Sequence, residues 1–133
     1  SASNDSGHML NEARQAMLLQ RVMKTGDALT ARQSLAVATR GGAAVLGRDD
    51  IGQLAPGFAA DIAAFDCRGI DFAGAAWDLL AGLLFCGSSK VSYTIINGKI
   101  IVDQGQLVTI DVPKLLENHH AMTADLMRKA QWA

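Results

Sequence analysis

The 133-residue chain is short of almost everything that announces a chemistry. Its 12 Lys and Arg balance 13 Asp and Glu. They are scattered rather than massed, which leaves no electrostatic footprint for nucleic acid. No apolar run reaches the ~18 residues of a membrane span. The longest, LLAGLLFCG from Leu79, reads as a buried helix. Residues 1–10 lack the basic start and apolar stretch of a signal peptide. The two cysteines, Cys67 and Cys86, belong to no spacing motif and have no histidine near them in sequence. They read as small core thiols in a reducing, cytoplasmic setting rather than as nucleophiles.

Histidine is scarcer than a metal site needs. His8, His119 and His120 make up the whole set, with no H-x-H and no H-E-x-x-H among them. His119 and His120 are adjacent, so on a helix they point roughly 100° apart and read as solvated. His8, in a first helical turn beside the polar loop, reads as a packing or solvent-facing residue, with a ligand-side role as the alternative. No G-x-S-x-G, P-loop or G-x-G-x-x-G is present, and Gly41-Gly42 is too short to cradle a phosphate. Asp61 and Asp66 bracket a short apolar run and suit turns or edges better than acid–base work. Trp77 and Trp132 read as packing residues, and Arg128 and Lys129 as complements to a helix dipole.

The residues that are present suffice for a folded core. Half are apolar and 19% are charged, which argues against disorder. One domain is the expectation at this length. Asn4, Asp5 and Ser6 are all good N-caps, and an apolar stripe from Met9 to Met23 predicts a helix from Gly7 to about Lys24. Thr30 and Gln33 form a T-x-x-Q capping box for a second helix, which Gly41-Gly42 interrupts through close backbone approach and Gly47 closes. Ile62 to Phe65 reads as a buried strand, and GAAWDLLAGLLFCG as a helix closing at Gly87. In KVSYTIINGKIIVDQGQLV the alternation and Asn97-Gly98 predict a type I′ hairpin. A second turn comes at Gln104-Gly105, then a third strand within Leu107 to Ile110. Asp111 caps a last helix, with Pro113 in its first turn, that runs to about residue 130.

Long apolar helices and few short strands are a poor match, since such strands make a weak sheet alone. The imbalance implies missing neighbours, and Ser1 standing where an initiator Met would be implies either a segment removed by processing or sequence missing upstream. Ser1, Ser3, Asn4 and Asp5 crowd donors and acceptors just before a helix. Capping explains one or two of them. A ligand-facing role is therefore assigned to the loop, with Ser1, Ser3 and Asn4 as the substrate-side candidates.

Four segments together resemble the C-terminal third of amidohydrolase-superfamily enzymes. SASND before a helix resembles the segment after barrel strand 8. LTARQSLAVATRGGAAVLG, IGQLAPGFAADIAAFD and VSYTIINGKIIVDQGQL resemble the later segments in the right order. Each is weak alone, and the four in sequence are strong. SASNDSGHMLNEARQAMLLQRV together with LLFCGSSKVSYTIINGKIIVDQGQL looks most like the 8-oxoguanine deaminases, with triazine hydrolases next. Phe58 departs from the Lys often found there.

The resemblance implies an α/β fold: the C-terminal fragment of a (β/α)8 barrel plus part of a small β-sandwich. Residues 1–48 would end the barrel domain, 49–110 would give the sandwich segments with an intervening helix, and 111–133 the C-terminal helix. It implies zinc or another divalent metal in the complete enzyme. The metal-binding Asp would fall two residues before Ser1, and no metal ligand or catalytic residue would lie in this chain. The implied reaction is hydrolytic loss of an amino group from a purine-like ring, 8-oxoguanine to urate and ammonia being favoured. The expected partners are the N-terminal barrel portion, a small purine-like substrate and further copies in a homo-oligomer, without nucleic acid or membrane. Alone, the chain is expected to be inactive, to hold no zinc and to associate. The reading from another class is a non-catalytic module that self-associates or binds a partner through exposed apolar faces.

Overall fold

The computed structural model describes residues 7–86 and 90–130. Helix α1 spans Met9–Met23, with His8 at its N-cap. It starts two residues later than the pattern predicts, and the expected caps Asn4, Asp5 and Ser6 lie outside the described residues. Helix α2 (Ala31–Ala36) opens on the predicted capping box: Thr30 accepts from the Gln33 amide and the Gln33 side chain accepts from the Thr30 amide. The double glycine does not break the helical path. The chain passes through a π-helical turn, Val37–Gly41, directly into α3, Gly42–Val45. A Cβ at Gly41 would meet only ordinary contacts and one at Gly42 would meet none, so neither glycine is there for close approach. Gly47 does close the helix as predicted. Its φ is +66°, its amide donates to Ala44 and the Arg48 amide donates to Ala43, which is a Schellman cap.

Helix α4 (Leu79–Phe85) is shorter than predicted. Asp78 starts it by accepting from the Ala81 amide at 3.1 Å. The residues before it form a 3-10 turn, Ile70–Phe72, and further turns. Gly87, the predicted end, lies outside the described residues. Trp77 is 99% exposed rather than packed, because Phe72 takes the interior place beside α4.

Four antiparallel strands form one sheet in the order β1 (Ile62–Ala64), β2 (Tyr93–Ile96), β3 (Lys99–Asp103) and β4 (Gln106–Leu107). Both hairpin turns have two residues at positive φ. Asn97 and Gly98 stand at 48° and 76°, Gln104 and Gly105 at 47° and 78°. That is the type I′ signature, whose twist matches the flanking strands. Strand β4 stops at Leu107, short of the predicted Ile110. Strand β1 is not the buried strand its composition suggests: it pairs only with β2, and Ala63 and Ala64 are exposed. The Asp61 carboxylate accepts from the Asn97 amide at 2.7 Å, which fastens the first hairpin to the strand entry. Helix α5 (Val112–Lys129) comes last, capped by Asp111 with Pro113 in its first turn as predicted.

The helices α1, α2 and α4 meet in the core. Met17 and Leu84 are fully buried there beside Ala13 and Ala31. Thus α4, which lies in sequence between β1 and β2, packs on the helices and not on the sheet. Outside this cluster little is covered. The chain exposes 10169 Å², half again as much as the roughly 6,700 Å² of a compact 14 kDa monomer.

Candidate functional site

The candidate loop Ser1, Ser3 and Asn4 lies outside the described residues. The described residues begin at Gly7, just ahead of helix α1. Helix α1 is anchored along its length by buried side chains, and its first turn carries the half-buried His8 and the acidic Glu12. The carbonyl of His8 accepts from the Asn11 amide at 3.0 Å and the Glu12 amide at 3.2 Å, so the chain direction into the helix is set.

Three contacts hold α1 against its neighbours. Ser34 on α2 is 1% exposed, and its hydroxyl donates to the Ala13 carbonyl in the middle of α1. The Arg21 Nε–H donates to the Leu29 carbonyl at 3.1 Å. The same guanidinium lies 5.5 Å from the centroid of the Phe85 ring, a cation–π contact that joins α1 to α4. Gly82 lets α4 approach closely, since a Cβ there would stand 2.9 Å from the Ala75 Cβ and 3.3 Å from the Phe72 ring. These contacts make α1, α2 and α4 one packed unit.

The loop after Gly47 returns across the π-turn. Gly52, at φ +87°, has room for no Cβ: one would lie 2.9 Å from the Ala43 Cβ and 3.0 Å from the Thr39 carbonyl. Thr39 in turn donates its hydroxyl to the Leu35 carbonyl at 2.7 Å. Sequence reasoning missed Gly52, Gly82 and Ser34. The glycines stand among several others and differ only in what the fold brings beside them.

Among the described residues no group of three or more His, Cys, Asp and Glu could hold a metal ion. His119 and His120 are exposed on α5 with ring centroids 6.3 Å apart. Cys67 and Cys86 are free and half-buried, as expected of small packing thiols. Asp66 and Asp61 take the turn roles expected of them rather than converging.

An open groove of about 740 Å³ lies between the ends of β1 and β2 and the β3–β4 turn. Asp66, Arg68, Lys90, Ser92, Tyr93 and Gln104 contribute to its lining. Asp66 and Arg68 form an ion pair in it. Asp66 accepts from Arg68 Nε at 2.9 Å and Nη2 at 2.7 Å, and from the Arg68 amide at 3.0 Å. These bonds hold the Asp66 carboxyl far below the usual carboxylate range, and raise the Arg68 guanidinium. Asp50 is lowered by its bonds to Arg48, Asp125 by those to Lys129 and Arg128, and Asp27 by Thr25.

These depressed carboxyls set the sign of an acid response. Each contributes stability that is present above the unfolded value of about 3.9 and is lost as pH falls through its folded value. The resistance of the chain to urea is expected to be flat above about pH 5 and to decline below about pH 4. Asp66→Asn should make that decline shallower. Asp27 and Asp66 are exposed, and Asp50 and Asp125 are half-exposed, so the effect is small and shrinks with salt. An Asp66→Asn profile superimposable on that of the parent chain at low salt would show that the pair adds nothing.

Residues 1–101 match the model of the amidohydrolase family. Over 127 residues the chain is 39% identical to an 8-oxoguanine deaminase of Pseudomonas aeruginosa, covering 96% of this chain and 28% of that protein. It is 40% identical over 118 residues to a 5-methylthioadenosine/S-adenosylhomocysteine deaminase of Pelotomaculum thermopropionicum, covering 86% and 27%. Among solved structures it superposes on an adenosine deaminase of Xanthomonas campestris with bound zinc, with a TM-score of 0.86 at 31% identity over 96% of this chain and 29% of that one. An atrazine chlorohydrolase of Arthrobacter aurescens complexed with zinc gives 0.83 at 38% identity, over 91% and 27%. The chain thus spans between a quarter and a third of the length of these relatives.

Proposed function

Because the chain belongs to the amidohydrolase family, we propose that it forms the C-terminal part of a zinc-dependent aminohydrolase acting on a purine-like ring, with 8-oxoguanine as the favoured substrate. In that reaction water replaces the exocyclic amino group, giving urate and ammonia. The observation that carries the reading is the 39% identity to the Pseudomonas aeruginosa 8-oxoguanine deaminase across nearly the whole chain. The bare surface supports the fragment part of the reading. Apolar side chains such as Val22 and Met23 on α1, and Ile100 on β3, are more than half exposed, as expected where a larger body covers them.

Zinc does not fit the described residues, which hold no cluster able to ligate it. The metal and the groups that act on the ring would therefore be supplied by the barrel portion, the ligating Asp two residues ahead of Ser1. The part assigned to this chain is positional. Residues 1–48 would close the barrel domain and present Ser1, Ser3 and Asn4 at the mouth of the site. The helical core holds α1, and the role proposed for α1 is to orient the segment that precedes it. Residues 49–110 would complete a β-sandwich and 111–133 the C-terminal helix. A cytoplasmic location fits the free thiols.

The test is a fusion in which residues 1–133 replace the matching stretch of the Pseudomonas aeruginosa enzyme. The fusion is expected to bind zinc and to release ammonia from 8-oxoguanine. Asn4→Ala or Ser3→Ala within it should lower kcat/KM about tenfold, the equivalent of one substrate hydrogen bond at ~1.4 kcal/mol. A folded, zinc-loaded fusion that releases no ammonia from 8-oxoguanine would overturn the substrate assignment. Activity on a triazine instead would favour the alternative suggested by the atrazine chlorohydrolase likeness, that of another N-heterocycle hydrolase. Residues 1–133 alone should show neither zinc binding above background nor turnover.

A further inference from the structure

Asparagine followed by glycine is the dipeptide that two-residue hairpins favour. It is also the setting in which an asparagine side chain is chemically least durable. The backbone nitrogen after an asparagine can attack the side-chain Cγ, and glycine puts no side chain in the way. The chain has four asparagines, Asn4, Asn11, Asn97 and Asn118, and only Asn97 precedes a glycine. Asn11 and Asn118 lie within α1 and α5, ahead of Glu12 and His119, where helical geometry holds the following amide. Asn97 and Gly98 are both exposed to water at the tip of the β2–β3 hairpin.

Two features of the fold act as brakes on that attack. The first is conformation. Asn97 stands at φ 48° in a type I′ turn. This left-handed backbone turns the Gly98 nitrogen away from the Asn97 Cβ–Cγ bond, so a five-membered ring closes only when the turn opens locally. The second is hydrogen bonding. The attacking nitrogen must give up its proton, and the Gly98 N–H is donated to the Ala60 carbonyl at 3.1 Å. Beside it, the Asn97 N–H is donated to the Asp61 carboxylate at 2.7 Å. Both acceptors belong to the residues entering β1, and Asp61 lies 36 positions from Asn97. A reaction confined to one dipeptide is thus restrained by a strand from elsewhere in the chain.

We propose that Asn97–Gly98 is a site of spontaneous deamidation and that the docking of the β1 entry onto the turn sets its rate. The Gly98 nitrogen forms a bond to the Asn97 Cγ, the bond from Cγ to the side-chain nitrogen breaks, and ammonia leaves with the proton given up by the Gly98 amide. Water then opens the cyclic imide at one of its two carbonyls and leaves aspartate or isoaspartate at position 97. No oxidant, reductant or further reactant is required. Isoaspartate routes the main chain through the side-chain carbon and so lengthens it by one atom. A two-residue turn of that length no longer joins β2 to β3 in register. The Gln104–Gly105 turn is the internal comparison. It has the same backbone shape, at φ 47° and 78°, and its Gly105 amide donates to the Ser92 carbonyl at 2.8 Å. Its longer side chain would have to close a six-membered ring, so it should stay intact.

The test is peptide mapping by mass spectrometry on the 133-residue chain, aged at neutral pH in buffer and, in parallel, in urea. It reads the conversion of amide to acid at each asparagine, and circular dichroism confirms which samples are folded. The folded chain is expected to convert Asn97 at least about tenfold more slowly than the unfolded one, the equivalent of ~1.4 kcal/mol of local opening. Asp61→Ala should speed the folded reaction about fivefold, the effect of one hydrogen bond, and leave the rate in urea unchanged. Asp61→Asn keeps an acceptor and should age nearly as the parent does. Equal rates at Asn97 in buffer and in urea, a folded Asp61→Ala no faster than the parent, or conversion at Asn11 or Asn118 outpacing that at Asn97 would each overturn the proposal. The comparison of folded with unfolded parent needs no variant, so it decides the matter even if Asp61→Ala does not fold. The readout uses no substrate, so its failure is distinct from failure of the proposed reaction. The same mapping on the fusion with the Pseudomonas aeruginosa enzyme extends it to the longer protein.

Discussion

Met17→Ala is expected to destabilise the chain by about 2–5 kcal/mol. Met17 has no exposed surface and sits where α1, α2 and α4 meet, against Ala13, Ala31 and Leu84. Its buried neighbours Ala13 and Ala31 are too short to reach into the space a truncated side chain leaves, and the leucines around them are already packed in the cluster. The helices themselves would have to shift, and Ser34 and Arg21 hold α1 in place on two sides. The loss therefore combines the transfer of the buried side chain with the cavity left behind. Since this is the largest buried cluster among the described residues, the effect is also large against a typical total of about 5–15 kcal/mol. Val22→Ala, on the same helix but 85% exposed, should change stability by less than about 0.5 kcal/mol. Urea denaturation would read both as shifts in midpoint at constant slope. A Met17→Ala loss below about 1 kcal/mol would mean that the three helices do not form one packed unit.

Gly52→Ala should be the second severe change. At φ +87° an L-residue is strained whatever surrounds it, by roughly 1–3 kcal/mol. Here there is no space either. The new Cβ would lie 2.9 Å from the Ala43 Cβ and 3.1 Å from the Arg40 Cα, both on the rigid helical segment. Overpacking adds roughly 1–3 kcal/mol more. Gly47→Ala separates the two causes, because Gly47 also has positive φ but a Cβ there meets nothing within 4 Å. The Gly47 variant should show only the backbone part. Equal midpoints for the two variants would show that the contact between the return loop and the π-turn contributes nothing. A larger loss for Gly52 places that contact among the interactions that fix where the chain leaves the helices for the sheet.

Much of this fold was legible in the residues because local chemistry specifies it. Thr30 and Gln33 can form a capping box with each other and nothing else. Asn97-Gly98 tolerates the positive φ that a two-residue hairpin requires, and so does Gln104-Gly105. Asp111 followed by Pro113 starts a helix for reasons contained within one turn. The expectations that failed concern neighbours. Trp77 was expected inside by its size, and Phe72 stands there instead. The strand at Ile62 was expected to be buried by its composition, yet it has a partner on one edge only. Gly41-Gly42 looked like the site of close approach, and Gly52 and Gly82 are the positions that need it. The family, too, was legible, because four short segments stand in a set order in the sequence, and the amidohydrolase match over residues 1–101 takes in three of them and most of the fourth.

The sequence by itself determined the helices and the hairpins, since each of these rests on residues within a few positions of one another. The tertiary structure decided the rest. It showed α4 packing on α1 and α2 and not on the sheet, the burial of Ser34 against a carbonyl 21 residues away, and the helix α5 left with no buried residue. The physical reason is distance along the chain. Capping and turn preferences act between near neighbours, whereas burial depends on which surfaces meet, and that is settled only when the whole chain has closed on itself.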